Sequence, residues 1–348
     1  RDSSTSRGLG DVYKRQIICL FTLFLILFSN SNLSAAKKGL SLWANSVVPS
    51  LLPFFIATEL LGYTNIISIL GKMLNKLMKP VFNVPGEGAF PFIMGIISGY
   101  PVGAKIVADF KKQGLCSDIE AERLIAFTNN SGPLFIIGTV GIGLFKDTKT
   151  GILLLITHIF ACITVGILFR WWKNSKNKRS TSFIETSNKL PSRISLSNLG
   201  EVLASSIMNS ISTIFLIGGF VVLFSVVISI LNSSGCLELI SSFLSPIFKT
   251  FGIPSKYIKG IVIGLIELTN GVCSIALIAS KNISTNIIIC AFLLGFGGIS
   301  VALQVLSITS KNGISIKPYL LGKFLQGCFA ALYTYLILNN FCFLNLDL

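Results

Sequence analysis

Apolar residues run along this chain in blocks near the length of a membrane-crossing helix, and several of those blocks are interrupted in the middle. An α-helix needs roughly 20 apolar residues to cross the hydrocarbon of a bilayer. Residues 41–61, 151–169, 202–231, 286–309 and 319–338 are predicted as spans of that kind, with Pro49 and Pro53 kinking the first. Residues 66–78 alternate at helical spacing with Lys72, Lys76 and Lys79, and 237–251 are similarly two-faced. Both are predicted as amphipathic helices, the first lying at the membrane interface and ended by Pro80 and Pro85, the second ending before Pro254.

The interruptions are more informative than the spans. In block 89–109, positions 95–105 hold Gly95, Ser98, Gly99, Tyr100, Pro101, Gly103 and Lys105. Block 118–145 has an N-cap signal at Ser117 or Asp118, then breaks at Thr128, Asn129, Asn130, Ser131, Gly132 and Pro133. Block 258–280 carries Glu267 and Asn270 in apolar surroundings. In hydrocarbon every backbone group needs an internal partner, so broken backbone is tolerated only where it packs in protein or lines a wet cavity. Half-helices meeting at polar breaks are how many secondary transporters build a site near the midplane.

The interruptions also recur. Asn45-Ser46-Val47 pairs with Asn209-Ser210-Ile211, Pro80 and Phe82 with Pro246 and Phe248, Gly95 and Ser98 with Gly264 and Glu267, and Ala126-Phe127 with Ala291-Phe292, at offsets of 164, 166, 169 and 165. Repeats over 40–170 and 199–340 are therefore expected, joined by a basic linker, 171–198. Whether the repeats are parallel or inverted stays open. If 118–145 crosses fully, Lys37, Lys38, Lys111, Lys112 and Arg123 lie inside and Lys72, Lys76 and Lys79 outside; if it is re-entrant, the groups exchange.

Composition agrees with the pattern: 52% of the 348 residues are hydrophobic and 12% charged, with a mean hydropathy of +0.76. The fold class expected is an all-α polytopic membrane protein with two transporter-like repeats and broken or re-entrant helices. A net charge of +15 suggests nucleic acid in a soluble protein, but here no solvated basic face with interleaved aromatics exists. Basic residues in membrane proteins chiefly set topology. Residues 170–198 carry seven of them against Glu185, which assigns that stretch to the cytoplasm. Eight cysteines lie singly, without a CxxC pair, so neither a disulfide framework nor a zinc site is expected. Residues 1–16 resemble translated adaptor sequence and are expected to be an artefact, leaving 17–29 as a truncated first helix. Without their four basic and two acidic residues the balance falls to +13.

Candidate ligand-binding residues are Ser98, Tyr100, Lys105, Asn129, Asn130, Ser131, Glu267, Asn270 and Gln304. An intramembrane carboxylate is costly unless paired, protonated or facing water, so Glu267 leads. With Asn270 three residues on, it suits ribose hydroxyls or a coupling Na⁺ or H⁺, or else a buried hydrogen bond between repeats that only holds the bundle. Lys105 and Asp109 are spaced to pair on one helix face, and Glu59 reads as an interfacial carboxylate. His158, the one histidine, sits in an unbroken span, where a structural hydrogen bond competes with a Ser98–His158 hydrolase dyad. A single histidine rules out the HExxH zinc motif. No catalytic residue, metal ligand or cofactor is assigned.

With these motifs in hand the chain resembles the sporulation integral membrane proteins of the YlbJ type. The blocks 99–104 (Gly-Tyr-Pro-Val-Gly-Ala), 129–135 (Asn-Asn-Ser-Gly-Pro-Leu-Phe) and 48–54 (Val-Pro-Ser-Leu-Leu-Pro-Phe) carry the likeness, together with the two-half layout. That family bears nucleoside-recognition, or Gate, domains, a module also found in concentrative nucleoside transporters. The resemblance implies a non-enzymatic multi-pass protein of the mother-cell or outer forespore membrane, needed for spore cortex formation. It would move or bind a small solute or cortex precursor, or serve as a scaffold for sporulation membrane partners. Its surroundings would be the lipid bilayer, with a homo-oligomer as a further option.

Overall fold

The structure, a computed structural model, describes residues 3–173, 198–250, 252–280 and 283–340. Among them there are helices and no strands. The first half comprises α1 (Ser3–Leu27), α2 (Ser29–Leu42), a π turn (Trp43–Val47), α3 (Val48–Gly62), α4 (Ile66–Phe82), α5 (Ala89–Ser98), α6 (Val102–Lys112), α7 (Asp118–Thr128), a π-helical segment (Leu134–Phe145) and α8 (Thr148–Phe169). The second comprises α9 (Leu199–Ser233), α10 (Cys236–Thr250), α11 (Ile258–Ile266), α12 (Leu268–Ala276), α13 (Ser284–Phe296), α14 (Gly298–Thr309) and α15 (Lys317–Asn340). Most of the basic stretch, 174–197, lies outside the described residues.

Among the described residues four runs are long and apolar enough to cross a membrane: Thr148–Phe169, Leu199–Ser233, Ser284–Asn312 and Lys317–Asn340. Two bent pairs add to them, α1 turning 97° into α2 and α3 turning 85° into α4. The second bend turns α4 nearly perpendicular to α3. Pro80 does not end α4. The helix runs on to Phe82 and stops at Asn83, which is left-handed (φ 54°) and returns its amide to the Lys79 carbonyl, a common C-terminal device.

Contacts at the helix ends fix the topology. Arg123 on α7 donates to the Trp172 and Asn83 carbonyls, Asn83 donates to the Arg170 carbonyl, and the Trp172 indole and Lys173 both reach Glu122. The end of α4, the start of α7 and the exit of α8 therefore lie together. So α5 and α6 form a hairpin that enters and leaves at that same end. Lys111, at its open mouth, pairs with Asp118 and donates to the Gly313 carbonyl beyond α14. The second hairpin, α11 and α12, opens elsewhere: Lys256 donates to the Ala279 carbonyl, and Tyr257 to Asn286 at the start of α13. Because α7 begins at the first mouth while α14 ends there, the two broken helices run in opposite directions. This corrects both charge distributions expected above, since Lys79 and Arg123 lie at the same end.

Around the hairpins stands a frame. α2 and α3 pack antiparallel to α9, with Gly39 against Val222 and Ser225, the Trp43 indole donating to the Ile214 carbonyl with its ring seated on Gly218, and Asn209 donating to Glu59. Among the described residues three apolar clusters fill the interior, the largest centred on α5, α6 and α7 and the second on α12, α13 and α8.

Candidate functional site

The first hairpin turns at Gly99, whose φ of +82° is open to glycine and strained for side-chain residues. A cis peptide joins Tyr100 to Pro101, and α6 resumes at Val102. The neighbouring glycines serve close approach. A Cβ on Gly95 would stand 1.7 Å from the Thr128 carbonyl oxygen, and one on Gly103 would stand 2.1 Å from it. Both arms of the hairpin thus touch the backbone of α7 where that helix breaks.

The second hairpin turns at Glu267, which is extended (φ −140°) and caps α12. Its carboxylate accepts from the Thr269 amide at 3.0 Å, the Asn270 amide at 2.8 Å and the Asn270 side chain at 2.9 Å. Helix N-terminal amides lack internal partners and favour negative charge, so the chain locally supplies what a buried carboxylate needs. Here the arms close on each other, since a Cβ on Gly271 would lie 2.0 Å from the Gly264 Cα.

The tips meet at a cavity of about 110 Å³. Tyr100 and Glu267 line it, with Ser131 and Gly132 from the first broken helix, Ser300 and Gln304 from the second, and apolar Leu42, Val47, Leu51, Ile217 and Val221 from the frame. Pockets for drug-sized ligands run from about 300 Å³ upward, so a sizeable solute enters only when the tips part. Tyr100 ties the tip to both broken helices: its hydroxyl donates to the Leu294 carbonyl at 2.7 Å and accepts from Ser131 at 2.9 Å.

Of the nine residues singled out in the sequence, the cavity brings together Tyr100, Ser131, Glu267 and Gln304. The other five lie elsewhere. Ser98 is buried and hydrogen-bonded to Thr58. Lys105 pairs with Glu59 at 2.5 Å and reaches Thr213 at 3.3 Å, linking α6 to the frame instead of to Asp109. Asn129 donates weakly to Tyr319, at 3.4 Å. Asn130 donates to the Phe127 carbonyl and the Cys162 sulfur and accepts from Gln326. Asn270 is spent on capping. The Ser98–His158 dyad does not form either, because the His158 Nε2 accepts from the Ser131 amide at 3.4 Å and lies 3.3 Å from Gln326.

Sequence reasoning passed over Lys323 and Gln326, three residues apart on α15 and both fully buried. The signal was available, since an ionisable residue inside an apolar span marks a functional position by default. Among the described residues no group of three or more His, Cys, Asp or Glu side chains is placed to hold a metal ion.

The nucleoside-recognition (Gate) family matches residues 44–170 and 214–312. The chain is 35% identical to the sporulation integral membrane protein YlbJ of Bacillus subtilis (strain 168), over 92% of this chain and 82% of that protein. Its fold is similar to solved structures of CNTnw, of the concentrative nucleoside transporter fold. An inward-facing, substrate-bound state gives a TM-score of 0.55 at 14% identity, covering 96% of this chain and 87% of that one. An outward-facing state of a double variant gives 0.55 at 13%, covering 96% and 88%. Equal scores to opposite states make the likeness one of fold and not of conformation.

Proposed function

The chain belongs to the nucleoside-recognition (Gate) family as a sporulation integral membrane protein of the YlbJ type, and we propose that it binds and moves a small polar solute during spore envelope assembly. The observation that carries the reading is the meeting of two oppositely directed hairpin tips at one largely apolar cavity, between broken helices, into which Tyr100, Ser131, Glu267 and Gln304 place polar groups. A frame made of α2, α3 and α9 covers the cavity with apolar side chains, so solute passage requires the hairpins and frame to shift against each other. Such a shift exchanges which end of the cavity is open, in the manner of transporters built from paired repeats. The solute belongs to the cortex pathway in this reading, as a precursor or small component. The membrane is the mother-cell or outer forespore membrane, and the coupling ion is Na⁺ or H⁺.

The test combines flux and phenotype. Purified protein in liposomes is expected to give saturable, gradient-dependent uptake of candidate cortex components. Glu267→Gln and Gln304→Ala, both at cavity-lining positions, are expected to abolish it while protein levels in the membrane stay unchanged. Heat-resistant spores from both mutants would sink the site assignment. Cortex-assembly proteins co-purifying in the absence of any flux would instead favour a scaffold.

A further inference from the structure

Lys323 is 1% exposed on α15. The described ion pairs set Lys105, Lys111, Lys173 and Lys259 each against a carboxylate, and Lys323 has none among the described residues. Its Nζ donates to the Gln326 Oε1 at 2.7 Å and lies 5.4 Å from the centre of the Tyr100 ring. A buried ammonium without a counter-charge is expensive, and an amide oxygen and an aromatic face are its two recorded supports.

The groups around it are neutral. From α8 come His158, whose Nε2 is occupied as an acceptor, and Cys162, which donates to the Phe127 carbonyl. From α7, Asn130 accepts from the same Gln326; the hairpin brings Tyr100, and Tyr319 lies one turn earlier on α15 and bonds Asn129. Among the described contacts α13 presents it no titratable side chain. Neither supporting contact survives loss of the proton unchanged. Cation–π attraction vanishes with the charge, and the bond to Gln326 weakens from a charge-assisted one to a neutral one. Tyr100 also lines the cavity and holds Leu294 and Ser131.

We propose that Lys323 is a reversible proton-binding site whose occupancy sets how firmly the first hairpin tip is held. With the proton bound, the ammonium draws the Tyr100 ring and fixes the tip. On release, one Nζ–H bond breaks, the electron pair stays on nitrogen, the proton passes to bulk water that reaches the amine when the tip transiently parts, and the neutral amine loosens its hold. This goes beyond the proposed solute path, because it is observable with no solute present.

The test follows hydrogen exchange of residues 95–105 in full-length protein in nanodiscs, corrected for intrinsic rate, between roughly pH 5 and 9, a range that includes the values of about 5–6 documented for buried lysines. The wild type is expected to lose protection about tenfold along a one-proton curve as pH rises. Lys323→Arg is expected to stay protected throughout and Lys323→Gln to stay loose throughout. A flat wild-type profile would overturn the assignment, as would a titration that persists in Lys323→Gln. One that disappears in His158→Gln while surviving in Lys323→Gln would move the proton to the histidine. Should the lysine variants fail to fold, ¹⁵N NMR of the wild-type lysine amines decides. One amine passing to the neutral form in that range supports the site, and every amine remaining an ammonium refutes it.

Discussion

The first hairpin tip is held from outside, by the Thr128 carbonyl between its two arms and by Tyr100 reaching Ser131 and Leu294. The second holds itself, with Glu267 satisfied by amides of its own hairpin and Gly264 packed on Gly271. The difference teaches which tip moves at least cost. The bonds of Glu267 travel with α12, so the second tip shifts as a unit without losing them. Displacing the first strands a serine, a carbonyl and a tyrosine hydroxyl in an apolar interior, at roughly 1–3 kcal/mol for each group left unpaired.

The sharpest way to break this contrast is Gly95→Ala. Its methyl group would fall 1.7 Å from a backbone oxygen, which no rotamer relieves. We expect a destabilisation at or above the ~1–3 kcal/mol typical of overpacking, seen as loss of monodisperse protein on size exclusion. Gly138→Ala, with nothing within 4 Å of its added carbon, is expected to purify normally. Next is Tyr100→Phe, which removes both hydroxyl bonds. It should cost about 1–3 kcal/mol in thermal unfolding and raise hydrogen exchange in 95–105 while leaving 264–272 as in the wild type. Equal loosening of both tips would mean that the second is not self-contained.

A smaller effect is expected from Glu267→Gln, which keeps an acceptor oxygen but loses the charge. About 1 kcal/mol is typical for a helix cap, and exchange should rise in 267–276 alone. Smallest is Lys105→Met. The pair it breaks is partly solvated, with side chains 27% and 20% exposed, and such pairs contribute at most about 1 kcal/mol. A shift in unfolding temperature larger than that of Tyr100→Phe would show that the frame contact, and not the tyrosine, anchors the first hairpin.

Much of the architecture was legible because hydropathy is a local property. The blocks 151–169, 202–231, 286–309 and 319–338 fall in spans, whereas 41–61 is divided among the end of α2, the π turn and α3. The lysine-striped 66–78 became α4, and the Gly/Pro-rich stretch of 95–105 became a turn. Of the two candidate caps of α7, Ser117 is the one used, and it forms a capping box with Glu120. Sequence also marked Glu267, since a carboxylate among apolar neighbours stands out without any partner being known.

What the sequence by itself determined is therefore the helices, where they break, and which residues at the breaks are polar. Only the tertiary structure decided which breaks meet. Ser98 and Tyr100 are two residues apart, yet one is sealed against Thr58 and the other lines the cavity. Lys105 found Glu59 on another helix instead of Asp109 on its own. Lys323 acquired its neighbours from α7, α8 and the first hairpin, all more than 150 positions earlier in the chain. The physical reason is that burial and pairing depend on packing between distant segments, whereas helix formation and its interruption are settled by adjacent residues.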